Sequence, residues 1–115
     1  MDNIEKSVLI YIFNKFNVNI IKFIKVSYFT NLKYQTIFKC FLLFKKESKK
    51  WCTSYQDLYN YYESFYKIKH NIDLDLNILD FKEVIESEDI FDEGWYEQLI
   101  KSWIKNKIIE EKLEE

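Results

Sequence analysis

The sequence predicts a mainly α protein: a compact bundle of four or five helices around an aromatic core, with at most a minimal β element. Three observations carry that expectation. Apolar residues recur at intervals of three and four along most of the chain, the pattern of helices that each bury one face. No Pro and a single Gly, Gly94, interrupt the 115 residues, so few positions force a helix to stop. Ten Phe, nine Tyr and three Trp supply the bulk to fill one core. The length fits a single domain, read as an N-terminal helical segment over 1–29 packed on a core over 30–110, with a tail at 111–115.

A first helix is expected from Asn3 to Phe16, with Leu9, Ile12, Phe13 and Phe16 on one face. The stretch from Val18 to Phe29 fits either a continued helix or an extended piece, because a short apolar run does not fix its period. Tyr34, Ile37, Phe38, Phe41 and Leu42 then define a helix capped by Asn31 or Thr30 and ending near Lys50, with Lys39, Lys46 and Lys50 on its far side. Thr53 with Gln56 three residues on reads as a capping box. It opens a helix whose inner face is Tyr55, Leu58, Tyr59, Tyr62, Phe65 and Tyr66, closed by Lys67 and Lys69. Alternation over 71–77 permits a short strand or a linker. Asp80 with Glu83 suggests a capped short helix through Ser87, followed by an acidic loop to Gly94. The last helix starts near Trp95 with Leu99, Trp103 and Ile104 inward and Glu97, Lys101 and Lys105 outward; Ile108 and Ile109 begin a fraying tail or a short strand.

Charge divides the chain. Residues 1–70 hold twelve Lys against five acids, and residues 71–115 hold five Lys against fourteen, although the net charge is only -2. Such a split either holds the two halves together or presents a functional patch. The absence of Ala and Arg beside abundant Ile, Asn and Lys matches AT-rich codon usage. Two cysteines are too few for a disulfide scaffold. Asn14, Lys15, Asn17, Asn19, Lys22 and Lys25 break the apolar stretch from Val8 to Phe29 too often for a membrane span. These features predict an intracellular protein, cytoplasmic or nuclear, with reduced thiols and no membrane contact.

The chemistry-bearing residues are sparse. His70 is the only histidine, neither Cys40 nor Cys52 has a recognisable base partner, and one glycine builds no phosphate-cradling loop. Cys40, Cys52 and His70 lack metal-ligand spacing. Asp73, Asp75 and Asn77 imitate the start of a calcium loop, but Ile78 stands where that loop needs Gly and Val84 where it needs Glu. The expectation is therefore no enzyme, no cofactor, no metal and no small-molecule substrate.

Two binding chemistries stand out. Lys39, Lys45, Lys46, Lys49 and Lys50 lie with Trp51, and Lys67 and Lys69 follow a Tyr-rich helix, a pairing of cations and rings that suits nucleic acid. The lack of Arg removes the commonest base-specific contact. Alternatively, Glu86, Glu88, Asp89, Asp92 and Glu93, with Trp95, Tyr61 and Trp51 as exposed anchors, form a surface for a protein partner with a basic face.

The helix over 31–50, the capped run Trp51-Cys52-Thr53-Ser54-Tyr55-Gln56-Asp57-Leu58-Tyr59 and the ending Leu99, Trp103, Ile108, Ile109, Glu110 resemble winged-helix modules of replication initiators. Trp95, Leu99 and Trp103 are likewise similar to a motif of DnaD-type replication proteins. The resemblance implies a final helix facing DNA, with replication or transcription control as the role. The chain departs from the pattern in the long stretch between Lys67 and Trp95 and in its acidic surroundings. Together these readings rank a non-enzymatic protein-interaction module, an adaptor or a stoichiometric inhibitor of the viral or mobile-element type, ahead of a winged-helix-like DNA-binding protein.

Overall fold

The computed structural model describes residues 3–15, 17–70, 74–86 and 93–114. It is mainly helical, with no strand among the described residues. Helix α1 (Asn3–Lys15) buries every residue from Val8 to Phe13. That is wider than the single face expected from Leu9, Ile12 and Phe13, because α1 is packed from several sides, by α3 (Leu32–Ser48), α6 (Ile78–Ile85) and α7 (Glu93–Glu114). Phe16, expected on the same face, lies outside the described residues.

The ambiguous stretch resolves into neither alternative. Asn17 adopts an extended backbone, and its side chain accepts from the Ile20 N–H at 3.3 Å, capping a separate short helix α2 (Val18–Ile21). A 3₁₀ turn, Val26–Tyr28, follows. Asn31, one of the two expected caps, then starts α3 by accepting from the Lys33 N–H at 2.9 Å. Tyr34, Ile37, Phe38 and Phe41 are buried as expected, and Thr36 and Cys40 join them. The helix stops at Ser48 because Lys49 takes the left-handed conformation at φ 66°.

Helix α4 (Tyr55–Tyr61), a π-helical turn (Tyr62–Tyr66) and α5 (Lys67–His70) form one rod. Its cap is Ser54 rather than Thr53: the Ser54 Oγ accepts from the Asp57 N–H at 3.3 Å. The π turn, closed by the Lys67 N–H donating to the Tyr62 carbonyl, widens the rod so that Leu58, Tyr62 and Tyr66 fall in line at intervals of four. Phe65, expected inward, is rotated off that line and is 62% exposed.

Residues 74–77 are irregular rather than a strand, while Asn71, Ile72 and Asp73 lie outside the described residues. Asn77 caps α6 by accepting from the Leu79 and Asp80 N–H groups, and Asp80 accepts from the Asn77 N–H at 2.9 Å. Asp80 is thus the third residue of a capping box and not the cap. Phe81, Val84 and Ile85 are buried. Helix α7 already includes Glu93 and Gly94, and it carries Ile108 and Ile109 as helical, exposed residues instead of a strand. Ile100, Trp103 and Ile104 are its buried residues; Leu99, expected inward, is only half-buried. No helix among the described residues is long and apolar enough to cross a membrane.

Candidate functional site

An apolar groove of about 580 Å³ lies between residues 17–23 and α7. Its origin is a mismatch in length. At 1.5 Å per residue α7 runs about 33 Å, whereas the four residues of α2 cover about 6 Å of it. Ile20 and Ile104 are buried at the floor. Phe23 (58% exposed), Ile108 and Ile109 (46% exposed) form walls that nothing among the described residues covers.

The rim is weighted toward positive charge. Lys101 is held by Glu97 at 3.0 Å, one turn away on α7. Lys105 is exposed and has no ion-pair partner among the described residues, and the Lys22 ammonium lies 5.2 Å from the centre of the Phe23 ring. A 3.2 Å surface ion pair from Lys25 to Glu111 links the far end of α7 to the chain just after α2. These walls suit the apolar face of a helix, and the lysines suit carboxylates beside that face.

A second, smaller cleft of about 360 Å³ separates the C-terminal half of α3 from the rod. Leu43 and Glu47 face it from α3; Tyr61, Phe65, Lys69 and His70 face it from the rod. The Glu47 carboxylate interacts with the Tyr61 hydroxyl. Burial, with that carboxylate second, pushes the Tyr61 hydroxyl up to about 12, and burial pushes Tyr66 up to about 12.

The sequence-predicted residues are scattered by comparison. Trp51 is a lid on the core, stacked on Phe41 at 5.0 Å and covered by the Lys45 ammonium at 5.3 Å. Tyr61 is half-buried between Phe44 and Phe65, at 5.7 and 5.8 Å. Trp95 is 59% exposed, edge-on to Tyr96. Glu86 is exposed at the end of α6 and Glu93 opens α7, while Glu88, Asp89 and Asp92 lie outside the described residues. Among the lysines, Lys39 lies over the Tyr66 ring at 5.9 Å, and Lys46, Lys49, Lys50 and Lys69 are exposed. Lys67 is engaged by Asp75 at 3.1 Å and Glu63 at 3.8 Å, and the bond to Asp75 raises its pKa.

No group of three or more His, Cys, Asp or Glu among the described residues is arranged to hold a metal. Both thiols are free and buried, and burial pushes each of them up.

Of the groove residues, Phe23 was not singled out by sequence reasoning, and Ile108 and Ile109 were read as a fraying tail or short strand and as part of the winged-helix-like ending, not as a binding surface. The available signal was the pair Ile108 and Ile109 at helical spacing from Ile104 and Lys105, which continues the α7 pattern past its inward face. No protein-family model matches this sequence, and neither the curated proteins nor the solved structures contain a match to it.

Proposed function

We propose that this chain is a small non-enzymatic protein-binding module, an adaptor or stoichiometric inhibitor, that seats an amphipathic helix of its partner in the groove between 17–23 and α7. The observation that supports it is the uncovered apolar lining of Phe23, Ile108 and Ile109 over a buried floor. Fully burying such a side chain contributes about 1.5–3 kcal/mol, and because these three are already partly covered, each gains roughly half of that when a partner helix seats on them. Lys22 and Lys105 select a partner whose apolar stripe is flanked by Asp or Glu. The winged-helix alternative would face α7 toward DNA and use the lysines of 39–50 and 67–69. The exposed Ile108 and Ile109 on α7 favour a protein instead.

The test is selection of helical peptides from a displayed library, with Phe23→Asp as the counter-target. The expected winners carry apolar residues at intervals of three and four beside acidic ones, and they lose at least tenfold in affinity on Phe23→Asp or Ile109→Asp. Winners that bind the wild type and both variants equally would place recognition elsewhere. Charge reversal at Glu88, Asp89, Asp92 and Glu93, run in parallel, measures any contribution of the acidic run.

A further inference from the structure

We propose that the cleft between α3 and the rod is a second binding site, for single-stranded nucleic acid. It shares no lining residue with the groove on α7. Three observations converge on it. The π turn leaves Phe65 62% exposed at the cleft, 5.8 Å from Tyr61, and His70 extends the aromatic row, its ring tilted against Tyr66 at 4.5 Å. π turns are rare and occur frequently at functional sites. Here it re-aims an apolar ring into water.

One lysine, Lys69, lines the cleft from the rod, and just outside the lining the Lys39 ammonium of α3 lies over the Tyr66 ring at 5.9 Å. Lys46 stands two turns along α3 from Lys39 on the same strip and is exposed, and Lys50 follows just beyond the helix end. The lining holds one carboxylate, the exposed Glu47 beside Tyr61, and the lysines in and next to the cleft outnumber it. Exposed ring faces flanked by lysines bind unpaired bases by stacking and phosphates by charge. A volume of about 360 Å³ admits an unstacked base and not a duplex. With no Arg in the chain, the planar guanidinium fork is absent, and stacking on ring faces is tolerant of sequence.

The experiment is fluorescence anisotropy of labelled 15-nucleotide oligo-dT, oligo-U and a 15-base-pair duplex, each titrated with the full chain across a salt series. Binding of either single strand with a negative salt slope, and at least tenfold weaker binding of the duplex, is expected. The oligo-dT and oligo-U arms decide between DNA and RNA as the source of the strand. Phe65→Ala, at an exposed position, should weaken binding roughly fivefold to 100-fold, and Lys46→Gln with Lys69→Gln should flatten the salt slope. Phe23→Asp, in the α7 groove, should leave all of this unchanged. No binding at low salt, equal binding of the duplex, or binding indifferent to Phe65→Ala would each overturn the proposal.

Discussion

The Glu5 carboxylate accepts a 3.0 Å hydrogen bond from the backbone N–H of Asn31, joining α1 to the start of α3 across 26 residues. Its second oxygen accepts from the Thr30 hydroxyl at 2.7 Å, and Glu5 itself is buried. A negative charge at a helix N-terminus is favoured by the unpaired N–H groups and the helix dipole there. Glu5→Ala strands both donors, so we expect a loss of about 2–3 kcal/mol, charged hydrogen bonds being worth that much. Glu5→Gln keeps an acceptor for Asn31 and should lose about half as much. Urea unfolding midpoints measure both, and equal midpoints for the wild type and Glu5→Ala would show the contact to be idle.

A comparable tie holds the irregular segment before α6. The buried Tyr62 hydroxyl donates to the Leu74 carbonyl and accepts from the Leu76 N–H at 3.2 Å, filling both of its roles. Tyr62→Phe removes the oxygen and leaves two backbone groups without that partner, for an expected cost of about 1–3 kcal/mol. Amide exchange should locate the damage: the Leu76 N–H should exchange much faster in the variant, and the α1 amides should not.

These two ties also show what the sequence could and could not reveal. The helices follow from short-range rules that one chain carries by itself, such as the Asn31 cap and the apolar spacing of 34–42. What escaped depends on distant partners. Nothing local marks Glu5 as a buried residue, because its two donors come from another part of the chain. The π turn is equally invisible, since an extra residue per turn is chosen by packing of Tyr62 and Tyr66 and not by propensity. It displaced Phe65 from the core face, and with it went the second cleft. The α7 groove was missed because Ile108 and Ile109 look like a frayed end until α7 is seen to continue beyond the reach of α2.

Lys49 is the one non-Gly residue with positive φ among the described residues, and it sits where helices commonly place Gly. The left-handed conformation costs a residue bearing a Cβ roughly 1 kcal/mol. Lys49→Gly is therefore expected to stabilise the fold by up to about 1 kcal/mol, provided the gain outweighs the extra freedom of Gly in the unfolded chain. Lys49→Ala keeps the Cβ and should not gain. A thermal melt of the three proteins separates backbone relief from the removal of a charge.

The cysteines give a chemical probe of the core. Cys40 is fully buried, its thiol raised far above the ordinary range by that burial, and Cys52 is nearly as enclosed. The thiolate is the reactive form, so both positions should resist a thiol reagent in the native protein and react together once urea unfolds it. Fast native-state labelling at Cys40 would mean that α3 separates from the rod far more often than this packing implies.

Alkali should act on the tyrosines of the second cleft. Tyr61 and Tyr66 are each pushed up to about 12, Tyr61 by burial and then by the Glu47 carboxylate, Tyr66 by burial and neighbouring groups. An unfolded chain ionises tyrosine near 10. Below pH 10 both states keep these protons and the two residues contribute no pH dependence. Between 10 and 12 the unfolded state releases protons that the native state retains, so stability must fall as the pH rises. Melting temperatures should accordingly hold level to about pH 9.5 and then decline, less steeply in Tyr66→Phe, where one of the two linked groups is gone. Absorbance at 295 nm gives the independent check. In the native protein the phenolate signal should be incomplete at pH 11 and rise to completion when urea is added, whereas a full native signal at pH 11 would remove the physical basis for the decline.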